Sequence, residues 1–258
     1  METLPVATIR RLFAMASPDE LAELIGRHND DGRAGVIAAC ASARRTIERR
    51  RAEDDRLTAL LAAERALYVR GLTAIAGVDE VGRGALAGPV TAAACVLPPD
   101  ARIRGVADSK ALTPERRVAL DAEIRAVAIG VAVAHVEASE IDRIGIAQAT
   151  AEAMRQAIAA LACPIDHVLV DGNPTDLGRP ATAIVRGDAT VRAIAAASIV
   201  AKVARDMLMR DLDLRYPGYQ LAANKGYGSA DHLASIARRG PSPVHRRSFA
   251  PCSQTPLF

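Results

Sequence analysis

Tryptophan is absent from this chain, and aromatic residues make up only 3% of its 258 positions. The core therefore has to be built from Ala, Val, Ile and Leu. Cysteine is scarce and scattered (Cys40, Cys95, Cys163, Cys252). Without CxxC spacing, neither a zinc framework nor a disulfide framework is expected, and reduced thiols in a cytoplasmic protein are the reading that fits. No run of about 18 apolar residues occurs, so no membrane span is expected. The start, METLPVATIRRLF, lacks a long apolar signal core, so no secretion signal is read. Lysine is the most telling shortage. Of 33 basic residues only Lys110, Lys202 and Lys225 are Lys. Each sits in a polar, motif-like stretch (ADSK, SIVAK, NKGYG), where a compact ammonium and an Arg fork are not interchangeable against a phosphate.

Half of the residues are hydrophobic, enough for one large domain or one domain plus an appendage. The net charge of +3 decides little. Its distribution says more, because residues 202–258 carry nine Lys/Arg against four Asp/Glu. A basic final quarter is compatible with phosphate partners, and equally with a solvated surface of mixed charge.

Residues 1 to about 70 read as helical. Ser17-Pro18-Asp19-Glu20 has the form of a capping box with Pro at the first helical position. Asn29-Asp30-Asp31-Gly32 is a turn. One long helix or two shorter ones follow to Gly71. The run 43–56, ARRTIERRRAEDDR, is either an exposed face laced with i,i+4 pairs or a nucleic-acid contact. From Thr73 the pattern changes. Strands are expected at 73–78, 90–97, 127–136, 167–172 and 182–185. Helices are expected from Thr113-Pro114 (an N-cap and first helical position), at 139–144, 148–161, 191–216 and 231–239. This makes a mixed α/β domain over 72–258 behind a helical extension over 1–71.

Three of these strands or strand-like runs end in carboxylates: Asp79-Glu80, Asp171 and Asp188. If the strand ends are neighbours, four negative charges converge, which requires protons or cations. Oxygen-only ligands favour Mg²⁺ or Mn²⁺, and two such ions clamp the attacking and leaving oxygens of a phosphodiester. Consecutive strand residues face opposite sides, so Asp79 and Glu80 are expected to share a site only if the strand breaks or twists at Val81-Gly82. Gly82-x-Gly84-x-x-Ala87 mimics a dinucleotide fingerprint, but the Pro89 run that follows reads as a strand where the fingerprint needs a helix.

GVDEVGRGALAGPV, ADSKALTPERR, LVDGN, GD at 187–188, AAASIVAKVARD, NKGYG and HRRSF occur in that order. Together, from about Ile75 to Pro251, they strongly resemble bacterial ribonuclease HII. The resemblance implies an RNase H-like mixed sheet flanked by helices, with a C-terminal helical part. It implies cleavage of the RNA strand of RNA–DNA hybrids, and nicking of duplex DNA 5′ of an embedded ribonucleotide, by two-metal hydrolysis that leaves 3′-hydroxyl and 5′-phosphate ends. Asp79, Glu80, Asp171 and Asp188 match the family's metal-binding catalytic carboxylates. Gly82, Arg83 and Gly84 match the loop that senses the ribose 2′-hydroxyl, largely through its backbone, and Tyr227 matches the Tyr that stacks on the next sugar. Lys110, Lys202, Lys225 and, more weakly, Ser109 fall in phosphate-contacting motifs. The partners implied are hybrids and ribonucleotide-containing duplex DNA, acted on by a monomer with no membrane association. Two positions depart from the family pattern. Asn224 replaces the usual His before Lys-Gly-Tyr, so no titrating group stands there, and Ala111 replaces a frequent second Lys. A silent binding module and a junction resolvase on the same fold are the competing readings. The four filled acidic positions argue against the first, and the GRG loop with Tyr227 against the second.

Overall fold

The computed structural model describes residues 4–173 and 176–254. It divides into two compact units, residues 1–59 and 60–258. The first unit is wholly helical in its described residues: α1 (Val6–Met15), α2 (Pro18–His28) and most of α3 (Ala34–Leu60). The capping box at α2 forms as its sequence predicts, with the Ser17 hydroxyl accepting from Glu20 N–H and the Glu20 carboxylate accepting from Ser17 N–H at 2.7 Å. Ile9, Phe13, Leu21, Val36, Cys40 and Ala43 are its buried core.

The second unit begins with α4 (Ala62–Val69), ended by Gly71 at φ +83°. It contains β1 (Ile75–Val81), β2 (Val90–Val96), α5 (Pro114–Val127), β3 (Gly130–Val136), α6 (Ala138–Ile144), α7 (Ile146–Ala159), β4 (His167–Asp171) and β5 (Ala181–Ile184). The helices α8 (Gly187–Thr190), α9 (Arg192–Arg215), α10 (Leu221–Asn224) and α11 (Ala230–Arg239) follow. The five strands form one mixed sheet in the order β3-β2-β1-β4-β5, with β1–β2 and β2–β3 antiparallel and β1–β4 and β4–β5 parallel. One face packs on α7 through Ala76, Val78, Ala92, Ala94, Ala153 and Ala157. The other packs on α9, which is buried from Arg192 through Ala201. Small residues let helix and sheet close up: a Cβ on Gly77 would overlap the Ala193 backbone. In this way the core does without aromatic bulk.

Three differences from the sequence reading stand out, while other element ends shift by one or two residues. The third strand starts at Gly130, not at Val127, because α5 keeps its buried spacing of Leu120 and Ile124 to the end. The first strand starts later and runs further than 73–78. Asp166 accepts the N–H groups of Thr73 (2.8 Å) and Ala74 (2.9 Å), and pairing with β2 continues to Val81. Asp188 does not close a strand; it lies in the first turn of α8. Among the described residues no helix is long and apolar enough to cross a membrane.

Candidate active site

The strand register brings the first two acidic positions together. In the parallel β1–β4 pair Val78 is opposite Val170, so the next residues along the two strands are Asp79 and Asp171. Asp171 in turn pairs with Ile184 of β5. The chain then turns through Arg186, at φ +58°, into α8. There the N–H groups of Gly187 and Asp188 donate to Asp171 Oδ1 at 2.6 and 3.3 Å. A side chain at 187 would press on Ile194 Cδ1 at 2.5 Å, so glycine is what lets the turn sit this close to Asp171.

β1 does not break at Asp79-Glu80; it pairs with β2 through Val81. β4 ends level with residue 79, so Glu80, paired with Ala92 of β2, has no strand partner on its other side. The negative charge of Asp171 bears on both side chains.

The electrostatics are those of a site that wants cations. Burial, and then the Glu80 charge, push the Asp79 carboxyl well above its ordinary range, against a hydrogen bond from Ser198. Burial is also the largest cause of the raised Glu80 and Asp188 carboxyls. The chain's own cations compensate in part. Arg83 Nη1 lies 3.2 Å from Glu80 Oε1, and the exposed Lys110 Nζ lies 3.5 Å from Asp188 Oδ2. Among the described residues no three acidic, His or Cys side chains close into a ready-made cage. The donor set is nonetheless all oxygen, and charge-starved by burial, which fits a hard divalent ion and not zinc.

The remaining predicted residues make contacts of their own. Gly82 takes φ +87°, and a Cβ there would overlap the Arg205 guanidinium. Ser109 is buried, with Oγ 3.0 Å from Ser198 Oγ, so its hydroxyl faces inward under the exposed Lys110. Lys202 Nζ is 2.7 Å from Asp206, and Lys225 donates to the Ala222 carbonyl. Tyr227 is 39% exposed, enough to offer a ring face, and Arg205 Cζ stands 5.6 Å from the ring centroid. Asn224 closes its own turn, donating to Tyr219 O and accepting from Gly226 N–H, both at 2.7 Å, a task that needs no titrating group.

Sequence reasoning missed most of the supports; of those below only His245, in HRRSF, stood out, as a group that either contacts substrate or orders the tail. Ser198 bears on Asp79. Arg117 donates to Ser109 O (3.0 Å) and Leu112 O (2.9 Å) and pairs with Asp206 (3.4 Å), tying the DSK turn to the helix that carries Lys202. Arg205 donates to Pro89 O (3.0 Å), Lys225 O (2.8 Å) and Ala87 O (3.2 Å). His245, in the HRRSF motif, is buried against His232. The carbonyl of Tyr227 can only accept, so His232 Nδ1 carries the proton of that 2.8 Å bond. His232 Nε2 then accepts from His245 Nε2 at 3.0 Å, and His245 Nδ1 accepts from Ser242 N–H at 3.0 Å. This relay of neutral rings holds the loop of Tyr227. The shared signal was hidden by composition: in a chain with 30 Arg among 33 basic residues, a structural Arg looks like any other.

An acidic, all-oxygen centre at the end of a parallel strand pair, on a mixed sheet covered by helices, has the donor set that a metal-dependent hydrolase requires. Comparison with known proteins narrows that class. The ribonuclease HII family model matches residues 76–252, and the ribonuclease HII N-terminal domain model matches residues 5–68. The ribonuclease HII of Geobacillus kaustophilus is 48% identical over 221 residues, covering 86% of this chain and 85% of the relative. The crystal structure of ribonuclease H2 from Pyrococcus horikoshii aligns with a TM-score of 0.61 at 28% identity, covering 70% of this chain and 95% of that one. Bst ribonuclease HIII, solved in complex with Mn²⁺, shares the fold at a TM-score of 0.55 and 18% identity, over 70% of this chain and 68% of that one. The chain belongs to the ribonuclease HII family of metal-dependent endoribonucleases.

Proposed function

We propose that this chain cleaves the RNA strand of RNA–DNA hybrids and also nicks duplex DNA 5′ of a single embedded ribonucleotide, leaving 3′-hydroxyl and 5′-phosphate ends. The observation that carries this reading is the register that sets Asp79 beside Asp171, with Asp188 turned in by its own hydrogen bond to Asp171. Asp79, Glu80, Asp171 and Asp188 would hold Mg²⁺ or Mn²⁺. Bound there, such ions supply activation of water and stabilisation of the leaving 3′-oxygen.

The chain's own residues do the rest. Lys110, Lys202 and Lys225 hold backbone phosphates as point charges, and Ser109, tied to Ser198 and Arg117, fixes the turn that carries Lys110. Gly82-Arg83-Gly84 reads the 2′-hydroxyl, the group that separates RNA from DNA. Tyr227 stacks on the following sugar and favours an RNA-to-DNA junction. In this reading the 2′-hydroxyl is positioned and is not the nucleophile. The enzyme acts as a cytoplasmic monomer in removing ribonucleotides from DNA. The extension, residues 1–71, raises substrate affinity through the Arg-rich stretch 44–56, while residues 72–258 carry the chemistry.

The test is a short duplex with one ribonucleotide beside an all-DNA control, each with Mg²⁺, with Mn²⁺ and with chelator. Nicking 5′ of the ribonucleotide that needs metal and spares the control is the expected result. Cutting of both duplexes would overturn the 2′-hydroxyl reading, and binding without cutting would overturn the catalytic one.

A further inference from the structure

Arg246 lies in HRRSF, a motif left without a role by the function above, and it is among the most deeply buried side chains of the molecule at 0% exposure. Its guanidinium is spent on backbone. Nη2 donates to Gly82 O at 2.7 Å, Nη1 to Arg83 O at 2.7 Å and Nε to Gly88 O at 3.0 Å. Two of the three acceptors belong to the loop assigned to the 2′-hydroxyl.

Peptide units are planar and trans, so a carbonyl and the N–H that follows it point in opposite directions. Fixing Gly82 O fixes the direction of Arg83 N–H, and fixing Arg83 O fixes that of Gly84 N–H. Neither N–H takes an acceptor among the described residues. A single planar fork therefore aims two adjacent donors away from itself. Such a pair suits an electronegative oxygen on a sugar, and it is set before substrate arrives.

The fork is itself held. Arg246 N–H donates to Leu86 O at 2.8 Å, and the next two N–H groups, of Arg247 and Ser248, donate to the Asp142 carboxylate at 2.8 and 2.9 Å. Arg246 Cζ also stands 5.2 Å from the Phe249 ring centroid. Arg205 fills the space that a side chain on Gly82 would need.

We propose that Arg246 is a positioning residue for sugar discrimination: it never touches substrate, but its fork aims the Arg83 and Gly84 N–H groups at the 2′-oxygen. The proposal rests on the reading of Gly82-Arg83-Gly84 as the 2′-hydroxyl sensor. A lysine keeps the charge but cannot hold three carbonyls in a fixed plane, so Arg246→Lys separates aim from charge.

The experiment measures Kd for a duplex with one ribonucleotide and for the all-DNA duplex of the same sequence, both in chelator, for the wild-type chain and for R246K. Thermal melts run alongside. The expected result is a ribose preference in the wild type that falls about tenfold or more in R246K, the loss confined to the ribonucleotide duplex, with all-DNA binding unchanged within about twofold. Asp142→Ala, which loosens the anchor and not the fork, should move the same ratio in the same direction by less, and carries the test if R246K does not fold. A ratio that stays at the wild-type value in a folded variant, or a parallel loss on both duplexes, would overturn the proposal and leave Arg246 a purely structural residue. A wild-type ratio near one is a different failure, because then the loop does not read the 2′-hydroxyl at all and the proposal falls with it.

Discussion

In the unit of residues 1–59 the arginines lie outside. Arg10, Arg11, Arg44, Arg45, Arg49 and Arg51 are exposed, and where arginines of this unit pair the partners lie within it, as in Arg27–Glu23 at 2.6 Å and Arg50–Asp19 at 3.7 Å. In the unit of residues 60–258, Arg192, Arg205 and Arg246 are the largest fully buried side chains. Among the described residues Arg205 and Arg246 meet no carboxylate in hydrogen-bond reach, and each spends its guanidinium on three backbone carbonyls. The same residue type is a charge in one unit and a rigid bracket in the other. Exposed, an Arg acts at a distance and is screened by salt. Buried, it fixes peptide planes, and its removal leaves several carbonyls unpaired at once.

In the proposed site the carboxylates mark the largest effect in this comparison, since there they would act through chemistry and not through stability. Asp79→Asn is expected to lower kcat by more than the 10- to 100-fold typical of outer partners of a metal ligand, while Ser198→Ala, which removes such an outer partner, falls within about that range. Both should melt within a few degrees of the wild type. Metal-dependent cleavage rates on one hybrid substrate check this, and full activity of D79N would remove Asp79 from the site.

Arg205→Met keeps the aliphatic bulk but strands three carbonyls. A loss of about 2–5 kcal/mol in urea unfolding is expected. A loss below about 1 kcal/mol would show that buried and exposed arginines are closer in kind than the structure implies.

The His232–His245 pair predicts a pH dependence whose sign can be worked out. Burial holds His245 down to about 4, from an ordinary 6.5, and lowers His232 as well. The folded state then binds fewer protons than the unfolded chain between those values, so stability is full above pH 6.5 or so and is lost as pH falls toward 4. Protonating the pair also gives both facing nitrogens a hydrogen and breaks the bond behind Tyr227. Urea midpoints at pH 7.5 and 5 are the measurement, with His245→Gln expected to shrink the difference between them.

The smallest effect on stability belongs to the exterior arginines. Changing Arg44, Arg45 and Arg49 together to Gln should alter unfolding free energy by less than about 1 kcal/mol. Hybrid binding is where they should show, with the slope of log K against log salt reduced by roughly 0.7–0.9 for each phosphate no longer neutralised. An unchanged slope would reduce the stretch 44–56 to a solvated helix face.

How far the molecule was legible before its fold was known follows from the reach of each interaction. The box at Ser17–Glu20 and the cap at Thr113-Pro114 span three residues and formed as their sequence dictates. The pattern of strands and helices was readable for the same reason, failing mainly at ends such as Val127, where a helix kept its packing. The acidic positions were visible as residues standing at the ends of apolar runs, and the family motifs named their company. The sequence by itself determined which groups are present, the local caps that start the helices, and a core of small aliphatic residues. Only the tertiary structure decided that Asp79 stands beside Asp171, through a parallel register between strands some 90 residues apart. It likewise decided which arginines became brackets: Arg246 reaches carbonyls 158 to 164 positions away, and Arg205 reaches Ala87 O across 118. Such contacts have no local signature, because a guanidinium is chosen there for its plane and its burial, and both are properties of the packed chain.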